Sequence, residues 1–97
     1  MELEMSWCVH KKDFVPQQGR LTLWLPEGSK ILSVKNQYER LTIWYTTVHQ
    51  TSVTEERELL VLHTATTPDI SQDKLEFLDT VLFADGTYVL HVFEIKG

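Results

Sequence analysis

Residues 75–95 read LEFLDTVLF-ADG-TYVLHVFEI, and this stretch decides the fold class. Its two outer parts, residues 75–83 and 87–95, are rich in the apolar, β-branched and aromatic residues that favour strands. Between them stand Ala84, Asp85 and Gly86, and an Asp-Gly pair flanked by two apolar runs is a strong signal for a β-hairpin. The sequence therefore predicts that the last two strands of the chain pair with each other.

Five further strands are predicted upstream of this hairpin. They cover residues 1–9, 20–25, 30–35, 41–48 and 57–65, and polar or Pro- and Gly-containing segments such as residues 26–29 separate them. Only residues 70–77 leave room for a helical turn. Seven short strands without a long 3.6-residue period predict an all-β fold for one small domain over residues 1–97, a compact antiparallel sandwich or partly open barrel.

The alternation of apolar and polar residues predicts which side chains are buried. In the third strand, Leu32 and Val34 are expected to face the core, with Ser33 and Lys35 on the opposite side. The first strand also alternates, which is typical of a half-buried strand. Its apolar positions are Met1, Leu3, Met5, Trp7 and Val9.

Composition excludes several classes of protein. The 97 residues suffice for one domain, and 42% hydrophobic residues with only 4 Gly and 3 Pro exclude wholesale disorder and fibrous repeats. Nine Lys and Arg against fourteen Asp and Glu give a net charge of −5, which argues against binding to duplex DNA. A local basic patch is compatible with this balance.

Cysteine usage and the N-terminal residues indicate a compartment. Cys8 is the single cysteine, so the chain cannot form an intramolecular disulfide or a thiolate metal cage, and a reducing environment fits best. The first residues are acidic where a signal peptide is basic, and no apolar run approaches the ~20 residues of a membrane span. We therefore expect a cytoplasmic protein with no membrane partner.

Two hexapeptides resemble each other at an offset of twenty residues: residues 20–25 read RLTLWL and residues 40–45 read RLTIWY. In both, a period of two places the Thr and Trp residues opposite the aliphatic ones, so Trp24 and Trp44 occupy the same type of face. If the second, third and fourth strands form a meander, the two indoles lie about 10 Å apart across the third strand. They would then bracket a ligand.

The residues around such a site suit a nucleotide. Stacking of a base on an aromatic side chain contributes about 1–3 kcal/mol, and nearby cations attract phosphate. The alternative is that both indoles pack in the hydrophobic interior. The candidate ligand-binding residues are Trp24, Trp44, Lys35, Arg20, Arg40 and Thr42.

No catalytic or metal-binding motif accompanies these residues, so we expect no enzyme, no metal and no cofactor. The four histidines have no zinc-type spacing, and His91, inside the last strand, is expected to have a hydrogen-bonded packing role. The sequence places no cation or helix N-terminus beside Cys8. Glu55, Glu56 and Glu58 are interpreted as parts of a solvated loop. A hydrolase that depends on His91 or a carboxylate is a weaker alternative.

Two segments carry a family resemblance. Residues 25–34 read LPEGSKILSV and are followed by LTIW at residues 41–44. The second segment runs from FLDTV at residues 77–81 to YVLHVFE at residues 88–94, with HVFE as its closing motif. Together they resemble a family of short phage and prophage proteins known only as a domain of unknown function, over about residues 21–94. Trp44, His91, Phe93 and Glu94 match the aromatic and closing positions of that family. Residues 64–66 read Thr-Ala-Thr where relatives tend to have Gly-Thr-Gly, which weakens any site on that loop.

The resemblance implies an accessory phage protein that acts in the host bacterial cytoplasm. We therefore expect a binding protein that counters host defence, with a small nucleotide-like immune signal as the ligand to be sequestered. The alternative is a small β interaction module that docks on a host defence protein or a virion component. Assembly into a homo-oligomer is compatible with either function.

Overall fold

Seven antiparallel β-strands form two sheets in the computed structural model, which describes residues 6–48 and 53–96. One-turn 3-10 helices at Gln72–Lys74 and Ala84–Gly86 precede and follow the sixth strand. The all-β fold and the C-terminal hairpin are as predicted. The first helical turn lies within residues 70–77, where the sequence left room for one, whereas the turn at residues 84–86 was not expected. The strands are β1 (Trp7–Phe14), β2 (Gly19–Pro26), β3 (Ile31–Gln37), β4 (Arg40–Val48), β5 (Thr54–Leu62), β6 (Leu75–Phe83) and β7 (Tyr88–Ile95).

The three-stranded sheet has the order β1-β4-β3, and the four-stranded sheet has the order β2-β5-β7-β6. They pack face to face as a sandwich and do not close into a barrel. The chain changes sheet between β1 and β2, between β2 and β3, and again between β4 and β5. Strands that follow each other in sequence therefore often lie in different layers.

The hydrophobic core lies between the two sheets and uses every second residue of the central strands. Full burial of such an aliphatic or aromatic side chain contributes roughly 1.5–3 kcal/mol relative to exposure. The inward positions of β4 are Leu41, Ile43 and Tyr45, so its intervening residues face away from the core. The buried cluster comprises Leu23, Leu25, Val34, Leu41, Ile43, Tyr45, Leu59, Val61, Val81, Phe83, Leu90 and Val92.

Hydrogen bonds tie the two sheets together at the end that carries the hairpin turns. The Glu39 carboxylate accepts hydrogen bonds from the Asn36 side chain at 2.8 Å and from the backbone N–H of Ala84 at 3.0 Å. Asn36 also donates to the carbonyl of Leu82 at 3.0 Å. The bonds that Glu39 accepts from Asn36 and Ala84 lower its pKa below the ordinary value of 4.5.

An inward-facing ion pair closes the core toward the other end. Nε of Arg57 on β5 lies 2.5 Å from Glu94 on β7, and Nη2 donates to the second carboxylate oxygen at 3.1 Å. Nη1 donates to the carbonyl of Ser29 at 2.9 Å. Hydrogen bonding to Glu94 raises the pKa of Arg57 above its ordinary value. The bidentate geometry neutralises both charges where they are largely removed from water.

The first strand differs from its prediction. β1 continues to Phe14, where a loop was expected, and residues 1–5 lie outside the described residues. Trp7 and Val9 are 64% and 47% exposed, although their alternation predicted burial. The pairing of Phe14 with Leu41 turns the even-numbered side chains of β1 toward the core and the odd-numbered ones toward solvent.

Two further sequence predictions are wrong, one about burial and one about secondary structure. Leu32 was expected in the core but is 50% exposed, because a β-bulge between Ile31 and Ser33 inserts it as an extra residue. The acidic residues assigned to a solvated loop lie instead within β5 (Thr54–Leu62). They are Glu55, Glu56 and Glu58.

Candidate functional site

The two echoed tryptophans lie in different sheets. Trp24 belongs to β2, which pairs with β5, whereas Trp44 belongs to β4, which pairs with β1 and β3. The predicted meander of the second, third and fourth strands is therefore wrong. Its physical reason is the connection after β2, which crosses from the four-stranded to the three-stranded sheet instead of folding back as a hairpin.

Both indoles point away from the core, but in opposite directions. Leu23 and Leu25 are buried, so Trp24 between them faces outward and is 59% exposed. Ile43 and Tyr45 are buried in the same way, and Trp44 is half-buried on the outer side of the other sheet. The two rings therefore cannot bracket one ligand within a single chain. The alternative, interior packing, does not describe them either, because neither indole belongs to the buried cluster.

The outer side of the three-stranded sheet, here called the basic face, collects four of the six predicted ligand-binding residues: Lys35, Arg40, Thr42 and Trp44. The cross-strand partners fix its membership, since partners share a face. It also holds residues that the sequence did not single out. The basic face comprises Trp7, Val9, Lys11 and Asp13 of β1, Arg40, Thr42, Trp44, Thr46 and Val48 of β4, Ser33, Lys35 and Gln37 of β3, and Lys30 and Leu32 beside the bulge.

Charge is divided unequally between the two sheets. Residues 7–14 and 30–48, which build the three-stranded sheet, contain five Lys and Arg against two Asp and Glu. The other described residues contain four Lys and Arg against ten Asp and Glu. A chain with a net charge of −5 therefore carries a local excess of positive charge on one layer. The five cations are Lys11, Lys12, Lys30, Lys35 and Arg40.

One end of the basic face contains an apolar pocket of about 480 Å³. Trp7 forms one wall, and the bulged Leu32 forms another across the sheet. The backbone of Lys30 is fixed there by two bonds to Thr46, one to its hydroxyl at 3.0 Å and one from its amide at 2.9 Å. Lys30 is thereby held as an exposed residue that lines the pocket. The lining residues are Trp7, Val9, Lys30, Leu32, Thr46 and Val48.

The middle of the basic face is polar and internally bonded. Nζ of Lys11 on β1 donates to the side-chain carbonyl of Gln37 on β3, and the two side chains meet above the central strand. Thr42 lies on that strand and is fully buried, with its hydroxyl donating to Asp13 at 3.0 Å. A ligand would therefore reach Thr42 only after the contact between Lys11 and Gln37 opens.

Three further cations of the basic face have different surroundings; Lys35 and Arg40 were predicted as ligand-binding residues, whereas Lys30 was not. Nζ of Lys35 lies 3.1 Å from the carboxylate of Asp79, but its side chain is 60% exposed. Within residues 6–48 and 53–96, no ion-pair partner approaches the side chain of Lys30 or of Arg40. These two exposed cations are available to an anion from solution.

The remaining predicted residues, Trp24 and Arg20, lie on the outer side of the four-stranded sheet among acidic residues. Trp24 has Glu56 as its cross-strand partner, and Arg20 forms a 3.7 Å ion pair with Glu58. Like charges disfavour a phosphate there. We therefore separate these two residues from the candidate site.

Two side chains outside the basic face that could carry chemistry, His91 and Cys8, have partners within the protein. His91 bridges the hydroxyls of Thr64 at 2.8 Å and Thr80 at 3.0 Å, which confirms its hydrogen-bonded packing role. Cys8 is half-buried, with its Sγ 3.1 Å from Nε2 of His10. In the described parts of the chain, no group of three or more His, Cys, Asp or Glu side chains is placed to hold a metal ion.

Sequence reasoning missed Trp7 and Lys30, although a signal for Trp7 was present. The odd positions of β1 continue from Trp7 and Val9 into Lys11 and Asp13, so one face of the strand mixes apolar and charged residues. Such a mixture is typical of a solvent-facing surface rather than of a core. The position of Lys30 beside Trp7 depends on strand order, which local patterns do not encode.

Comparisons with known proteins give one match. The family described as Domain of unknown function (DUF7352) matches residues 5–97. No curated protein and no solved structure matches the chain. The match agrees with the expectation of a family known only as a domain of unknown function, whereas the phage setting stays a prediction. Among the described residues there is no helix of the length and apolarity needed to cross a membrane.

Proposed function

We propose that this chain, which belongs to the family described as Domain of unknown function (DUF7352), is a non-catalytic binding protein whose basic face takes an anionic ligand of the nucleotide class. The observation that carries the proposal is the coincidence of positive charge with exposed indole on one layer of an otherwise acidic protein. Lys30 and Trp7 meet at the same pocket, so a flat base and its phosphate would each find a partner there.

The electrostatics support an anion at this place. Lys30 and Arg40 are exposed cations, and Lys35 is largely exposed despite its contact with Asp79. The two carboxylates of the same layer are already hydrogen-bonded, Asp13 to Thr42 and Glu39 to Asn36 and Ala84. Both carboxylates keep their negative charge, but five cations against two acids leave this layer with an excess of three positive charges.

The proposed role is sequestration rather than turnover. A binding protein needs only a complementary surface, whereas catalysis needs positioned acid, base or nucleophilic groups held by supporting hydrogen bonds. The pocket residues include one titratable side chain, Lys30. In the phage setting implied by the sequence resemblance, the protein would act in the host cytoplasm by withholding a nucleotide-derived immune signal from the defence system.

Calorimetric titration with ATP tests this proposal, and the chain provides its own matched control. We expect measurable binding and an increase in Kd of about 5- to 30-fold in Trp7→Ala, as loss of one stacked base contact predicts. Trp24→Ala removes an equally exposed indole from the acidic side and should leave Kd within about twofold. Circular dichroism spectra of both variants verify the fold.

Absence of binding to ATP and to a cyclic dinucleotide in the wild-type chain would contradict the proposal. Equal weakening by Trp7→Ala and Trp24→Ala would contradict the assignment to the basic face. The second candidate function is docking on a host protein, which is favoured by the exposure of Trp7, Val9 and Leu32 around one apolar pocket. In that case Trp7→Ala would abolish a stoichiometric complex with a purified protein partner, while nucleotides would not bind.

A further inference from the structure

We infer that the ligand of the basic face is a short stretch of single-stranded nucleic acid rather than one nucleotide. The inference rests on the proposed function and deepens it by naming the substrate class. It depends on how the cations and indoles are spaced along the three strands, and this spacing can be measured from the strand register.

The exposed cations extend along the whole face. Lys30 lies level with Thr46, to which its backbone is bonded, and Arg40 begins the same strand six positions earlier. At a rise of about 3.3 Å per residue, the two cations lie about 20 Å apart along β4. A single nucleotide carries its phosphates together at one end and cannot contact both. A strand with one phosphate per nucleotide can.

Lys35 supplies a cation between these ends. It pairs with Thr42 across the strands and therefore lies between the levels of Lys30 and Arg40. Its contact with Asp79 at 3.1 Å holds an exposed side chain at the edge of the sheet, where a phosphate can compete for it. The face thus presents three cations in succession. Lys30 and Lys35 lie along the β3 edge, and Arg40 lies at the beginning of the central strand β4.

The indoles are spaced along the face as well. Trp7 pairs with Val48, and Trp44 lies four residues earlier on the same strand, about 13 Å away along its axis. Two bases separated by intervening nucleotides could stack at these points, whereas one base could use only one of them. The pocket beside Trp7 and Leu32, at about 480 Å³, has room for an unstacked terminal base.

Charge and geometry favour a single strand over a duplex. Stacking on Trp7 and Trp44 needs unpaired bases, because a duplex keeps their faces inside its own stack. The described residues outside the three-stranded sheet include the ten acidic residues counted above, so a duplex wide enough to approach them would meet repulsion. A single strand lying on the basic face avoids that layer.

The test measures fluorescence anisotropy of a fluorescein-labelled oligothymidylate of about eight nucleotides, with thymidine monophosphate and ATP as competitors. We expect the oligonucleotide to bind at least about 50-fold more tightly than either mononucleotide. The logarithm of the association constant should fall with the logarithm of salt concentration with a slope of about −2, as expected for three phosphate contacts on a single strand. Lys30→Gln should reduce that slope by about 0.7.

Single substitutions test where the oligonucleotide lies on the protein. Trp44→Phe and Trp7→Ala should each weaken oligonucleotide binding, the first by at least about threefold and the second by at least about fivefold. Trp24→Ala should change it by less than about twofold. Because Trp44 is half-buried, thermal unfolding of Trp44→Phe verifies that the sheet is intact, and the phenylalanine retains an aromatic ring there.

The outcomes separate this inference from the proposed function. If ATP binds as tightly as the oligonucleotide and both depend on Trp7, the inference of a strand is overturned while nucleotide binding stands. If neither probe binds, both fail. If the oligonucleotide binds but Trp24→Ala weakens it as much as Trp7→Ala does, the strand does not lie on the basic face and the inference is again overturned.

Discussion

Each outer face of the sandwich contains one of the two similar hexapeptides, but the two faces differ in charge. In β4, Arg40 and Trp44 stand on a layer with an excess of cations. In β2, Arg20 forms an ion pair with Glu58, and Trp24 stands opposite Glu56. The local sequence is shared, but the neighbouring strands are not. Whether an exposed tryptophan on a strand suits the binding of an anionic ligand therefore depends on the charges of the neighbouring strands.

The faces also differ in how their charges are used. On the three-stranded layer, Asp13 and Glu39 are held in hydrogen bonds, whereas Lys30, Lys35 and Arg40 are exposed. On the other layer, Arg57 points inward to Glu94 and Arg20 is paired with Glu58, so acids dominate the outside. The polarity of the protein therefore follows from the unequal number of cations and acids on the two layers, five against two on one and four against ten in the other described residues.

Charge reversal on each face should produce the largest effect. The triple variant Lys30→Glu, Lys35→Glu and Arg40→Glu should weaken oligonucleotide binding at least about 100-fold, because three phosphate contacts become repulsions. The matched triple variant Arg20→Glu, Lys74→Glu and Lys96→Glu changes the net charge equally. It should weaken binding by less than about fivefold in the same anisotropy assay.

If the two triple variants weaken oligonucleotide binding equally, the proposed difference between the two faces is contradicted. Net charge would then govern association, and the basic face would have no special role. Chemical denaturation of both proteins distinguishes this outcome from loss of fold, since all six positions are exposed.

The inward cation predicts the next largest effect, on stability instead of binding. Arg57→Met removes both hydrogen bonds to Glu94, whose side chain is 14% exposed, and should lower the free energy of unfolding by about 2 kcal/mol. Lys30→Met, at an exposed site, should change it by less than about 0.5 kcal/mol. Urea denaturation measures both. Equal effects would show that Arg57 contributes no more to folding than a surface cation does.

The strands and the final hairpin could be predicted from sequence because their signals are local. Alternation in β4 and the Asp-Gly pair before β7 both act over a few residues. The period of two also placed Trp24 and Trp44 on the face opposite the aliphatic residues, but it left open whether that face is exposed or covered. These signals identify each strand, and they identify the face on which a side chain stands within that strand.

The assignment of strands to sheets could not be predicted, and the candidate site depended on it. The turn at Pro26 to Ser29 permits either a hairpin or a crossing between layers, and the choice is made by long-range pairing of β2 with β5. The same limit hid the bulge at Leu32, which results from its register with β4. Two of the six predicted ligand-binding residues, Arg20 and Trp24, were thereby joined to the wrong face.

Equivalent threonines in the two hexapeptides test the same contrast at smaller scale. Thr42→Val removes a fully buried hydroxyl that donates to Asp13, and it should lower the free energy of unfolding by about 1 kcal/mol. Thr22→Val changes an exposed residue on β2 and should alter stability by less than about 0.5 kcal/mol. If urea denaturation gives the same value for both, the bonded centre of the basic face is not a stabilising feature.

The smallest expected effect concerns Glu39, the acid that ties the basic layer to the turn before β7. Hydrogen bonds from Asn36 and Ala84 lower its pKa below 4.5, so the folded state binds this proton less readily than the unfolded state. Its contribution to stability is therefore present above pH 4.5 and lost as the pH falls through the lowered pKa of the folded protein. Glu39→Gln should make the melting temperature fall less steeply over that acidic range than it does in the wild-type chain. Glu56→Gln, on the outer side of the four-stranded sheet, serves as the control for removal of one carboxylate. A steeper or unchanged acid dependence in Glu39→Gln would contradict this role, and the two sheets would then be held together at this end by Asn36 and packing, without the carboxylate.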